Sequence, residues 1–186
     1  MSFRRPLLLA VVFLSNACLP WSDGACPAGF SGEAAGCAFD EAAVLDLVTH
    51  MDDGQLVKVN AEPYMPVYSS TPMLRNVWVS PLNVPDSDLT ADELYGTIDQ
   101  DNWWEPMEDT FPVGTVIIHE SVDRIEAHGV EVKRDDYADE MGRNWWLAMV
   151  NDDGTLDDGY REPCANCHNE GYRVTAGLWG VPEYAK

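Results

Sequence analysis

Positive charge is scarce in this chain: 11 Lys and Arg stand against 32 Asp and Glu, a formal net charge of −21. Such a polymer repels nucleic-acid phosphates and anionic lipid, which argues against a DNA- or RNA-binding role. A field of that sign attracts a basic redox partner, and it serves plain solubility in a salty or extracellular setting equally well. Lysine is the rarest cation, present only as Lys58, Lys133 and Lys186. Long apolar runs are also missing. The greasiest run, Pro6 to Leu14, falls well short of the about 20 residues that span a bilayer, and no later run approaches that length.

That short run has telling neighbours. Arg4 and Arg5 precede it, and Ser15-Asn16-Ala17 follow it, before Cys18. A charged start, a short apolar stretch and a small-x-small site predict a secretory signal over residues 1–17. Its removal, with Arg4 and Arg5, would take the charge from −21 to about −23. Cleavage after Ala17 would leave Cys18 at the new N-terminus, as in bacterial lipoproteins, although Ser15 stands where those signals usually place leucine. The expectation is an exported protein, periplasmic or cell-envelope, touching a membrane only through a lipid on Cys18.

Five cysteines in an exported chain call for an accounting. Cys18 is the lipidation candidate, and Cys164 and Cys167 belong to a C-x-x-C-H. Cys26 and Cys37 remain; they flank a Gly/Ala-rich loop and are expected to close a small disulfide in an oxidising compartment. Residues 18–39 therefore read as a tether with a clipped loop. Residues 40–186 suffice for one domain with a hydrophobic core.

Asp40 stands as an N-cap before Glu41 and the stripe Val44, Leu45, Leu47, Val48, Met51, which predicts an amphipathic helix ending near Gly54. Leu56–Val59 reads as a short strand, and Pro63, Pro66 and Pro72 break the segment after it. Leu74–Ser80 reads as a strand. Thr90 with Glu93 forms a capping box for a short helix. Three more strands are expected at Thr115–His119, Val130–Arg134 and Asn144–Val150, the last closed by the turn Asn151-Asp152-Asp153-Gly154. The run to Gly159 fails the register of an EF-hand loop and reads as turn. Together these give an α+β fold: a mainly antiparallel β-sheet, a few helices and a C-terminal c-type haem attachment segment.

Cys164-Ala165-Asn166-Cys167-His168 carries the chemistry. Two thiols at this spacing add to the two vinyl groups of one haem, and the adjacent imidazole supplies an axial nitrogen. A thioredoxin-like site would need a βαβ context, which is absent. A zinc site would need a second ligand pair, yet the other cysteines lie far upstream and no histidine follows His168. One covalent haem c is the expected cofactor.

The sixth iron position decides function. Residues 169–186 contain neither Met nor His, so the small all-helical cytochrome c arrangement does not apply. Upstream candidates are Met141, Met149, His119 and His128. Met149 shares a strand face with Trp145 and Leu147 and reads as core filler. His128 sits in a polar turn and reads as solvated. His119 ends an apolar strand, with Glu120 on the opposite face. Trp103-Trp104 and Trp145-Trp146 read as core or haem-packing residues.

From Phe111 onward the chain resembles the cytochrome P-460 family, which includes the sheet-rich beta-type cytochromes c prime. Phe111-Pro112-Val113-Gly114-Thr115 running to His119-Glu120 is similar to the family's Phe-Pro-x-Gly-Thr turn into a strand. Asn144-Trp145-Trp146 leading to Asp153-Gly154 is similar to its Trp-containing strand and turn. The C-x-x-C-H follows in the family's order, and Glu170-Gly171-Tyr172-Arg173-Val174-Thr175 resembles the segment after it. The resemblance implies a five-coordinate haem on an antiparallel sheet, held by Cys164 and Cys167, with His168 as proximal ligand. Some members oxidise hydroxylamine, using a lysine bonded to the haem and a distal carboxylate; beta-type members bind nitric oxide or carbon monoxide. In this chain His119 stands where members often carry a lysine, and Lys133 reads as a solvated strand position. Glu120 is the distal-carboxylate candidate by position, and His119 the candidate distal ligand. The expectation is a small nitrogen ligand at an open distal site, with a six-coordinate periplasmic electron carrier as the rival and a hydroxylamine-oxidising enzyme as the third reading.

Overall fold

The computed structural model describes residues 26–32, 36–66, 73–98, 110–122, 128–137, 144–151, 153–158 and 185–186. Residues 1–25, with the expected signal and Cys18, lie outside them, as do Trp103, Trp104, Met141 and the whole C-x-x-C-H.

The first described element is a two-stranded hairpin, β1 (Phe30–Ser31) with β2 (Ala38–Phe39), antiparallel. Cys26 and Cys37 are joined across it, with Cα atoms 5.5 Å apart. The clipped loop is thus more than a tether, because Phe30 and Phe39 meet edge to face at 5.9 Å and Phe39 packs on Trp146 at 4.8 Å.

Helix α1 (Glu41–Thr49) starts where Asp40 caps it: its Oδ1 accepts from Ala42 N at 2.9 Å and Ala43 N at 3.3 Å. This supplies acceptors to amides that have none inside the helix. Val44, Leu47 and Val48 form its buried stripe. A 3₁₀ turn, Met51–Asp53, ends at Gly54 in the left-handed region. Helix α2 (Ala91–Thr97) opens with both halves of the capping box between Thr90 and Glu93.

Six strands form one antiparallel meander in chain order: β3 (Val57–Lys58), β4 (Arg75–Val79), β5 (Val116–Ser121), β6 (Gly129–Lys133), β7 (Trp145–Val150) and β8 (Leu156–Asp158). The α+β expectation holds at this level. Strand β8 departs from the expected turn: Leu156–Asp158 lies within the acidic run to Gly159.

Alternation at period two divides the sheet into two covered faces. Val116, Ile118, Val130, Val132, Trp146, Ala148 and Val150 pack against α1 and the hairpin. Val77, Val79, Ile117 and Trp145 pack against Ala91, Leu94 and Tyr95 of α2, with Tyr64, Phe111 and Ala185. Each fully buried aliphatic or aromatic side chain here contributes about 1.5–3 kcal/mol of transfer free energy.

The Phe111-to-Thr115 turn has a local cause. Phe111 plugs the α2-side core, 6.0 Å from Trp145. Gly114 sits at φ 92°, which a side chain disfavours. The Pro112 carbonyl accepts from both Thr115 N at 3.1 Å and Thr115 Oγ1 at 2.7 Å. This motif sets the start of β5 and bears no reactive group itself.

Candidate functional site

Two expectations about charged side chains on the sheet are corrected by burial. His128, expected in solvent, is 5% exposed, and Lys133, expected on a solvated strand face, is 6% exposed. For Lys133 the cause is that alternating apolar and charged residues look the same whether the polar face meets water or another layer of chain. His128 directly precedes β6, and its carbonyl accepts from Val150 N at 3.0 Å. The Lys133 ammonium stands 5.3 Å from the Trp145 ring centroid, a cation–π distance.

The α2-side face of β5 and β6 holds a paired histidine and carboxylate. His119 Nε2 and Glu131 Oε1 are 3.0 Å apart, with side chains 13% and 5% exposed. Register sets His119 opposite Val77 on one side and Gly129 on the other, and Gly129 opposite Met149. Glu131 lies one pleat along, opposite Ile117 and Leu147, and so reaches His119 diagonally. Arg75 Nη1 donates to the His119 carbonyl at 3.3 Å; burial lowers that guanidinium from its ordinary value. Burial, then Tyr64 and the Glu131 charge, raise the Tyr95 phenol well above its ordinary range, so it stays neutral beneath this face. Trp145 Nε1 is buried and has no hydrogen-bond acceptor among the described residues.

Glu120 faces the other way. Its Oε2 accepts from Asn76 Nδ2 at 2.9 Å and from Trp78 Nε1 at 2.7 Å. Asn76 is in turn held by Asn60, whose Nδ2 donates to Asn76 Oδ1 at 3.0 Å while its Oδ1 accepts from Val77 N at 2.7 Å. Glu120 thus ends a polar chain on the α1 side. A group lying on one face of the sheet meets His119 or Glu120, not both.

Cys164, Cys167 and His168 lie outside the described residues, but the chain that carries them is fixed at both ends. It leaves from Asp158 on the edge strand β8. It returns at Ala185, fully buried in the α2-side core, whose carbonyl accepts from Ala61 N at 2.8 Å just beyond β3. Five interstrand spacings, about 24 Å, separate those edges. Among the described residues, no helix is long and apolar enough to cross a membrane, and no group of three or more His, Cys, Asp or Glu could hold a metal ion.

Sequence reasoning did not single out Glu131. The one available signal was its place in Val130-Glu131-Val132-Lys133, one pleat from a residue paired with His119, and that pairing is not visible before the strands are registered. Comparison with family models, curated proteins and solved structures finds no match for this chain. The cytochrome P-460 resemblance therefore rests on the residues that carry it.

Proposed function

We propose that this protein is an exported monohaem c-type cytochrome that binds a small nitrogen ligand, nitric oxide foremost, at an open side of its haem. Cys164 and Cys167 would hold the macrocycle by thioethers, and the His168 imidazole would coordinate the iron. When bound, the haem supplies an iron that takes up a diatomic ligand or exchanges an electron with it. The observation that carries the reading is the buried His119–Glu131 pair, on the face to which the chain bearing the C-x-x-C-H returns. One feature of that face suits a large group with acidic substituents: the Trp145 Nε1–H lacks an acceptor among the described residues.

In this reading Glu131 fixes the His119 ring, and His119 presents its other nitrogen to the ligand. Val77, Ile117 and Leu147 stand beside the pair in register, so a polar contact to the free Nδ1 lone pair of His119 is worth more there than in solvent. A lipid at Cys18 tethers the domain to the cell envelope, and the acidic surface suits a basic redox partner.

A six-coordinate electron carrier is the second reading, and one observation favours it. An imidazole oriented by a carboxylate through one nitrogen is how metal-ligating histidines are commonly held, and His119 has that arrangement with Nδ1 left over.

One preparation separates the readings. The full chain, expressed in a host that matures c-type cytochromes, is expected to gain the mass of one haem. It should give a high-spin ferric spectrum and bind carbon monoxide when reduced. A low-spin spectrum indifferent to carbon monoxide would establish the carrier. A strongly red-shifted Soret band would point to a lysine-bonded haem and the hydroxylamine enzyme, with Lys133 the buried lysine among the described residues. A colourless protein of unmodified mass would end all three.

A further inference from the structure

Gly129 opens β6 at a position where neither backbone nor crowding demands glycine. It is not among the positive-φ glycines. A Cβ built on it would meet, among the described residues, only His119 Cβ, at an ordinary 3.8 Å. Gly29 differs, since a Cβ there would come within 2.9 Å of Val44 Cγ2. Glycine in a strand forfeits side-chain packing and backbone entropy, and it often marks a bulge, a tight bend or the close approach of a ligand or another backbone. The register of β6 is unbroken here, with Gly129 opposite His119 on β5 and Met149 on β7. The row thus runs His119, no side chain, Met149, with Glu131 two residues further along the same face of β6. Gly129 is itself partly open to solvent, while Val130 to Lys133 beyond it are buried.

We propose that Gly129 determines ligand size: the missing side chain leaves a notch between His119 and Met149 that admits a ligand of two or three heavy atoms beside the imidazole. This rests on the haem reading above and deepens it, because the notch selects ligands of the diatomic class. Filling it obstructs the ligand's approach without disturbing attachment of the haem, whose thioethers and axial ligand lie elsewhere in the sequence.

The test compares full-length holo-proteins carrying Gly129→Ala and Gly129→Val with the parent. Carbon monoxide is the probe for the reduced protein, and its association rate and affinity are measured alongside haem content and urea midpoint. One methyl-sized obstruction in a tight apolar site changes binding roughly tenfold or more. The Val variant is therefore expected to bind carbon monoxide at least tenfold more slowly, with Ala intermediate, at full haem content and a urea midpoint no lower than the parent's. Equal association rates in parent and variants, all with haem attached, would overturn the notch and leave the haem reading standing. A parent without haem overturns both. Should the Val variant fail to fold, the Ala variant decides alone: an unchanged rate sinks the proposal.

Discussion

His119 and Glu131 meet at 3.0 Å across adjacent strands, and the carboxylate so paired is one of the least exposed acids described. A buried carboxylate is tolerated where a hydrogen-bonded partner offsets its desolvation. His119→Ala removes that partner and leaves Glu131 in place. The expected loss is about 2–4 kcal/mol, between that of an ordinary buried hydrogen bond and that of a broken buried ion pair. Glu131→Gln keeps an acceptor for the ring and should cost less. Urea unfolding of the three proteins checks this; an alanine variant within about 0.5 kcal/mol of the parent would mean that the pair is solvated.

The disulfide clip ties the hairpin to the body. Cys26 and Cys37 are 11 residues apart, and closing such a loop removes about 3 kcal/mol of entropy from the unfolded chain. Phe39 packs on Trp146 and lies under the Arg134 guanidinium at 3.9 Å, so the hairpin keeps contacts without the bond. A Cys26→Ser, Cys37→Ser double variant is therefore expected to stay folded and to lose at most about 3 kcal/mol. A thiol reductant should lower the urea midpoint of the parent and leave that of the variant unmoved.

Acid should loosen the start of α1. The Asp40 carboxyl is held below its usual range by a hydrogen bond with the Ser31 side chain, then by the amides of Ala43 and Ala42, against a small opposing effect of burial. A carboxyl depressed in the folded state stabilises fully above its unfolded value of about 3.9, and the contribution fades as pH falls through the lower folded value. Asp40→Asn keeps a capping oxygen without the charge. Parent and variant are expected to differ in thermal midpoint at pH 7, with the gap starting to narrow as pH falls below about 3.9 and narrowing further as it passes through the lower folded value. A gap that persists unchanged into acid would show that charge plays no part at this cap.

The helix starts and the meander were legible because their causes are local. Asp40, the Thr90–Glu93 box and the alternations at Leu74–Ser80 and Asn144–Val150 act within a few residues. Lys133 and His128 are buried against expectation, because neither alternation nor a polar turn reports whether another layer of chain covers a residue. The short edge strand β8 was hidden by its acidic composition, since two of its three residues are Asp. Glu131 became a site residue only once register set it diagonal to His119. The C-x-x-C-H needed no fold to be read, since its chemistry lies in five consecutive residues.

Glu120 and Glu131 offer the sharpest separation, because the sheet puts them on opposite faces. Glu120 Oε2 satisfies both Asn76 and Trp78, so Glu120→Ala strands two donors and is expected to cost about 1–3 kcal/mol. Glu120→Gln retains an acceptor and should cost less. Neither change touches the α2-side face, so the Soret band and the carbon monoxide affinity of both holo-proteins should match the parent's. Glu131→Gln, in contrast, keeps an acceptor for the His119 ring but removes the negative charge beside the proposed ligand, and should alter the carbon monoxide affinity or its stretching frequency. If Glu120→Gln moved those quantities while Glu131→Gln left them alone, the haem would belong on the α1 side. The polar chain from Asn60 through Asn76 would then be its support, and the assignment of the ligand to His119 would fail.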